Sequence, residues 1–198
     1  MKLYFAAGAC SLSPHIVAEE ADVPVELVRV DLKAHKLDTG DDYYGVNPKG
    51  AVPALVLDSG ELLTEGPAIV QYIADLKPGS GLAPACGTLP RYHLQEWLTF
   101  INGEIHKTFT PLFHGASGDE RKKTIETIGK KFAFVEKNLA GKQFLLGDTF
   151  TAADSYFFVM LTWAKKFHLA VSPALTQYFD RIAARPKVQA AMKAEGLI

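Results

Sequence analysis

The 198-residue chain has little of what marks several large protein classes. It holds two cysteines, Cys10 and Cys86, in dissimilar surroundings, and neither belongs to a Cys-x-x-Cys pair. This argues against a disulfide scaffold and a cysteine zinc site; no metal is expected, and a reducing cytoplasm is the expected compartment. No apolar run approaches the roughly 20 residues of a membrane helix, so no membrane association is expected. Met1-Lys2-Leu3-Tyr4-Phe5 lacks a cationic head before a long apolar region, so no signal peptide is expected. Charge of one sign is missing too. Lys and Arg total 21 against 22 Asp and Glu, a net charge of −1, which argues against a nucleic-acid partner bound through its phosphates. There is no repeat or low-complexity segment. What is present, 48% apolar and 22% charged residues, describes a globular chain long enough for one ordinary domain or two compact ones.

The stretch Gly8-Ala9-Cys10-Ser11-Leu12-Ser13-Pro14 follows the apolar run Leu3-Tyr4-Phe5. It reads as a strand, a glycine-bearing turn and the first turn of a helix with a thiol just before it. Ser11 or Ser13 can cap that helix, and Pro14 fits its first turn, where backbone N–H groups have no helical acceptor. A helix N-terminus carries about half a positive charge, which favours a thiolate or a bound anion. Cys10 therefore either touches a sulfur-containing or anionic ligand or is a small apolar residue packed under a turn.

Residues 1–77 alternate strand-like and helix-like segments. Val25 to Val30 alternates as a half-buried strand does, and a short helix is expected around Asp41 to Val46. Ala54 to Leu57 and Glu61 to Thr64 flank Asp58-Ser59-Gly60 as a hairpin. Glu65-Gly66-Pro67 opens a helix with Ile69, Val70, Ile73 and Leu76 at helical spacing. The expected order is βαβαββα. Residues 78–88, rich in Pro and Gly, read as a linker.

Residues 89–198 look wholly helical. Between about Leu89 and Thr110, Leu94, Leu98, Ile101 and Ile105 form one stripe. At 100° per residue Thr99, Gly103, His106 and Thr110 gather on the opposite side, as a solvated face or as the wall of a cleft. A second amphipathic helix is expected from Asp119 to about Leu139. Thr151-Ala152-Ala153-Asp154 has capping-box spacing ahead of a run, Tyr156 to Leu161, that is apolar nearly all round. Two shorter helices are expected beyond Ser172-Pro173 and Arg185-Pro186.

The motifs together resemble the bacterial beta-class glutathione transferases over the whole chain. They are Gly8 to His15, Asn47-Pro48-Lys49-Gly50-Ala51-Val52-Pro53, Leu63 to Ile69, Arg91-Tyr92-His93, His106-Lys107 and Phe150 to Asp154. The resemblance implies an α/β thioredoxin-like N-terminal domain joined to an all-α C-terminal domain, with glutathione as co-substrate in the cleft between them and no metal. It implies that a cis Val52-Pro53 bond leaves the Val52 N–H and C=O free to pair with the ligand backbone. Glu65 and Gly66 then hold the γ-glutamyl end. Cys10 lies beside the ligand sulfur, and His106 donates a hydrogen bond to a sulfur or to the ligand while Lys107 adds positive potential. Thr99 and Gly103 contribute to the same wall. His35 stands where the family often has Lys, near the glycyl carboxylate.

Phe109, Phe113, Trp163 and Phe167 are the candidates for a pocket taking a small hydrophobic electrophile. Pro53, Thr151 and Asp154 are expected to be structural. The implied activity is attack of the glutathione thiolate on such an electrophile, in detoxification or xenobiotic degradation. Cys10 opens disulfide exchange or dehalogenation as related chemistry. A homodimer is implied. The alternative from another class is a non-catalytic binder or adaptor of the same fold, which would not need Cys10, Val52-Pro53, Glu65 and His106 together.

Overall fold

The computed structural model describes all 198 residues. Strand β1 (Lys2–Phe5) lies at the centre of a five-stranded sheet, and Leu3, Tyr4 and Phe5 are all buried, as suits a strand covered on both faces. It runs parallel to β2 (Glu26–Asp31), the two being joined by helix α1 (Leu12–Glu20). On its other side it is antiparallel to β4 (Ala54–Val56), with Leu3 opposite Leu55. The edges are β3 (Lys36–Leu37) on β2 and β5 (Leu62–Thr64) on β4, giving the order β3-β2-β1-β4-β5. Helix α2 (Gly66–Asp75) buries Ile69, Val70, Ile73 and Ala74.

Two local expectations differ from the structure. Around Asp41 to Val46 the chain makes only a 3₁₀ turn, Tyr43–Gly45, and β3 precedes it. Asp42 accepts the Tyr44 N–H and the buried Tyr43 hydroxyl donates to the Ala51 carbonyl, so side-chain bonds and not helix propagation order this loop. Ser11 precedes α1, but its hydroxyl does not cap the helix. It accepts the Ala6 N–H at 3.1 Å and donates to the Ala6 carbonyl at 3.2 Å, tying the helix start to the end of β1.

Beyond a short 3₁₀ turn at Pro78–Ser80 the chain is helical: α3 (Leu89–Phe100), α4 (Thr110–Phe113), α5 (Gly118–Leu139), α6 (Ala152–Lys166), α7 (Pro173–Ala183) and α8 (Pro186–Ala194). No helix is long and apolar enough to cross a membrane. Helix α6 is buried almost all round, and α1 packs against α2, α6 and α8. One cluster of 42 buried residues therefore runs from Leu3 and Ile16 through Ile69 to Phe157 and Ile182. At roughly 1.5–3 kcal/mol per large apolar side chain, this shared core joins the two units more strongly than any polar contact.

Two arginines add direction to that junction. Buried Arg91 on α3 makes a two-pronged pair with Asp75 on α2 (2.7 and 2.6 Å) and holds that carboxyl below its usual pKa. Arg185, ahead of α8, makes a second two-pronged pair with Glu20 at the end of α1 (2.6 and 2.7 Å).

Candidate functional site

The turn carrying Cys10 is gripped by the helical unit. Gly8 has φ +67°, a conformation that favours glycine. Its N–H donates to Glu195 Oε2 at 2.9 Å, and its carbonyl accepts the indole N–H of Trp163 at 2.8 Å. The other oxygen of the buried Glu195 lies 3.0 Å from Nδ1 of the buried His15 on α1. Helices α6 and α8 thus fix the backbone two residues before the thiol.

The thiol itself is not in the state that the helix N-terminus suggested. Cys10 Sγ donates to the Val52 carbonyl at 3.2 Å, so this carbonyl is occupied and not free. Burial pushes the Cys10 pKa up to about 12, outweighing the backbone N–H groups of Cys10 and Ser11 that lower it, and the Glu65 charge pushes it further the same way. At pH 7.5 Cys10 is a thiol. Iodoacetamide is therefore expected to label exposed Cys86 first and Cys10 at least about 100-fold more slowly, with the Cys10 rate climbing roughly tenfold per pH unit. Peptide-level mass spectrometry reads both rates, and equal labelling at pH 7.5 would show that Cys10 is ionised.

The Val52-Pro53 bond is cis, and beside it opens a polar cavity of about 300 Å³. Cys10, Asn47, Val52, Thr64, Glu65 and Gly66 line it from the sheet unit, and Asn102, His106, Lys107 and Tyr156 from the helical unit. Asn47 braces the loop by donating to the Ala51 carbonyl (2.8 Å) and accepting the Lys49 N–H (3.1 Å). Glu65 stands at the N-terminus of α2 with φ +70°, a strained conformation for a residue with a side chain. In the first turn of α2 the Ala68 N–H closes onto the Glu65 carbonyl at 3.0 Å and Pro67 has no N–H, which leaves the Gly66 N–H as the donor open to an anion.

The opposite wall departs from a regular helix. Ile101–His106 form a π turn between α3 and α4. Its i→i+5 bonding winds more slowly than 100° per residue, so Gly103 swings away from the side of His106 and Asn102 takes the place beside it. Thr99 and Gly103 are exposed and do not line the cavity, in contrast to the stripe drawn at α-helical spacing. Pro111 stands in the first turn of α4, where its missing N–H costs no helical bond.

Buried Tyr156 on α6 organises this wall. Its hydroxyl donates to Asn102 Oδ1 at 2.8 Å and lies 2.7 Å from His106 Nδ1. With its one proton given to Asn102, the tyrosine oxygen accepts from His106, which assigns the proton to Nδ1 and the lone pair to Nε2. Burial, and then the Lys107 charge, lower the His106 pKa to about 4, so the ring is neutral at physiological pH. With Nδ1 engaged by Tyr156, Nε2 is the ring nitrogen left to meet a ligand.

A second, apolar cavity of about 360 Å³ is lined by Ala9, Leu32, His35, Gly50, Phe113 and Trp163, together with Cys10, Ala51, Val52 and His106. Phe113 meets Trp163 edge-on at 4.8 Å. Of the other aromatic candidates, Phe109 is fully buried behind Trp163 (5.6 Å), and Phe167 backs Phe113 (4.9 Å) without reaching the lining. Both support the wall and do not form it. His35, at φ +52° and stacked on Tyr44 at 4.6 Å, lies on this apolar cavity and not on the polar one.

Two family profiles match the chain: glutathione S-transferase, N-terminal domain, over residues 7–76, and glutathione S-transferase, C-terminal domain, over residues 100–186. Among curated proteins it is 45% identical to the glutathione S-transferase GstA of Escherichia coli O157:H7, with 100% of each chain covered. The chain belongs to the glutathione S-transferases. It is also 40% identical over its full length to the transferase GST-4.5 of Xanthomonas campestris, again with both chains fully covered. Among solved structures it superposes on the bacterial transferase BphK in a ternary complex with TM-score 0.96 at 49% identity, covering 100% of both chains. A sphingomonad transferase complexed with glutathione gives 0.93 at 48% identity, and a beta-class enzyme of Sphingomonas chungbukensis gives 0.94 at 47%, both over full chains. The beta class named from the motifs is the class that these relatives represent, and the transferase fold and activity are those of the family.

Several residues of this transferase's cleft escaped the sequence reading. Asn47 and Lys49 sit inside a motif valued for its proline, and only their polarity could have marked them. Tyr156 is hidden in an apolar run, where a buried hydroxyl in need of a partner is the one available signal. Nothing in the residues around Asn102 announces the π turn that brings it in.

Proposed function

We propose that this transferase holds glutathione in the polar cavity and a small hydrophobic electrophile in the apolar one. The observation that carries this is the shared wall: Cys10, Ala51, Val52 and His106 line both cavities. A thiol seated between Cys10 and His106 from the polar side faces directly into the apolar side. Glu65 and the first turn of α2 hold the γ-glutamyl end, and Val52 pairs with the ligand backbone once Cys10 releases its carbonyl. Lys107 favours the thiolate electrostatically. His106 Nε2 accepts the thiol proton, the sulfur lone pair forms a C–S bond, and the electrophile loses a halide or takes up the proton after addition. The high pKa of Cys10 favours this conjugation over disulfide exchange as the main chemistry.

The same reading includes detoxification of electrophiles in a reducing cytoplasm, consistent with two free cysteines. It also includes a homodimer seated on the exposed aromatic patch of Phe134 with Trp97 and Phe100, whose rings lie 5.1–6.2 Å apart. Steady-state conjugation of glutathione to an activated aryl chloride is expected to survive Cys10→Ala, while peptide-level mass spectrometry after glutathione disulfide treatment finds any adduct on that variant at exposed Cys86 alone. Loss of arylation in Cys10→Ala, with a Cys10 adduct on the wild type, would make exchange the main chemistry. Light scattering at twice the 21.6 kDa chain mass is the expected outcome for the dimer.

A further inference from the structure

One side chain at the glutathione cleft has no part in the assignments above. Lys49 follows Asn47-Pro48 and reaches over the edge of β5, where its Nζ lies 2.7 Å from Glu65 Oε1 and 2.9 Å from Thr64 Oγ1. Both charged side chains are more than half exposed (56% and 60%) on the rim of the polar cavity. As a stabilising pair this contact is weak, because exposed ion pairs contribute little to folding. Its position is what matters. Asn47 accepts the Lys49 N–H and ties the backbone of the lysine to the loop that carries Val52. The aliphatic stem therefore starts from a fixed point and ends beside the carboxylate placed at the head of α2.

We propose that Lys49 is a specificity-determining residue that reads the α-carboxylate of the γ-glutamyl head while Glu65 reads its ammonium. The proposal rests on glutathione lying in the polar cavity as described above. The free α-amino-acid end of glutathione is a zwitterion, with an ammonium and a carboxylate on one carbon. Glu65 and Lys49 are the inverse zwitterion, presented on one rim. In the empty cleft they neutralise each other, so neither charge is left uncompensated. When the ligand enters, its ammonium replaces the lysine at Glu65, and the lysine moves onto the adjacent ligand carboxylate. Four alternating charges then stand where two stood, and no net charge is buried. The Gly66 N–H at the head of α2 addresses the same carboxylate through the helix dipole, but a neutral helix end distinguishes a carboxylate from a carbonyl less sharply than a full cation does. Lys107 lies across the cavity, on the helical unit, and serves the sulfur end.

The test compares two thiol substrates, glutathione and its analogue lacking the γ-glutamyl α-carboxylate (4-aminobutyryl-cysteinyl-glycine), on the wild type, Lys49→Met, Lys49→Arg and Glu65→Gln. Lys49→Met is expected to raise KM for glutathione about five- to tenfold with kcat within about twofold, the size of one charge-assisted contact. Its KM for the analogue is expected to change less than twofold, and Lys49→Arg to restore most of the glutathione value. An equal rise for both substrates overturns the proposal and makes Lys49 a brace of the loop. A fall in KM overturns it too, by showing that Lys49 only competes with the ligand for Glu65. If Glu65→Gln raises KM for glutathione while Lys49→Met does not, the lysine assignment alone fails; if neither does, the cavity assignment fails with it.

Discussion

Replacing Asp154 by Ala is expected to destabilise the fold by about 3–5 kcal/mol, the largest stability effect of any single side chain considered. Asp154 is completely buried at the start of α6, and its carboxylate accepts four hydrogen bonds. They come from the Thr151 N–H and hydroxyl (both 2.8 Å), the Leu145 N–H (2.8 Å) and the Tyr178 hydroxyl (2.7 Å). One residue therefore caps α6, closes the loop ahead of it and anchors α7. Truncation leaves those donors in a dry interior, where each unsatisfied one costs about 1–3 kcal/mol. Ser155, which stands where an apolar staple partner would be usual, bonds instead to Ser13 on α1 at 2.9 Å. The start of α6 is thus also the place where the two units meet. Urea unfolding followed by tryptophan fluorescence measures the loss, and Tyr178→Phe is expected to cost only about 1 kcal/mol because one of the four bonds goes. A loss below about 1 kcal/mol for Asp154→Ala would show that water satisfies the stranded donors.

The largest effect on activity is expected at the His106–Tyr156–Asn102 chain. His106→Ala is expected to lower kcat/KM for arylation about 100-fold, within the usual contribution of a positioned general base. Tyr156→Phe keeps the ring in place but removes the oxygen that holds the Nδ1 proton, so a roughly tenfold loss is expected, about 1.4 kcal/mol of transition-state free energy. The pH profile separates this from a packing defect. The neutral form of His106 is the active one, and with its pKa lowered to about 4, protonation removes activity only as the pH falls through about 4. An acid limb near pH 6.5 in the wild type would mean an ordinary exposed histidine and would defeat the assignment. In Tyr156→Phe the limb is expected to persist while the plateau drops, because burial by the neighbouring helices still depresses the pKa.

The fold was largely legible in the residues. Alternation in β2, the turn residues of the β4–β5 hairpin, Pro67 at the head of α2 and the apolar periodicity of α2 and α5 are local signals, and local signals survive folding. The sheet-side half of the cleft was legible for the same reason: Cys10, Val52, Glu65 and Gly66 lie within short motifs whose backbone geometry their own residues dictate. The helical half was not, because its geometry is set by neighbours. His106 stood out, yet its proton position depends on Tyr156, 50 residues further along. Thr99 and Gly103 were placed beside it by a helical period that the backbone does not keep. The state of Cys10 is left open by its motif for a related reason. A helix N-terminus can be read from sequence, but the burial that overrides it depends on packing across the cleft.

The π turn at Ile101–His106 has a consequence for how this cleft can change over generations. A π turn holds one residue more than the α turn it replaces. What places Asn102 and His106 on the cleft is therefore the number of residues in the segment as much as their identity. Substitution at Gly103 or Glu104, both exposed, leaves that number intact. Loss of one codon between residues 101 and 106 does not: it restores the regular winding and rotates the wall about its axis while the buried Leu94 and Leu98 hold the helix where it was. At its exposed positions this wall tolerates spelling changes far better than a change of length.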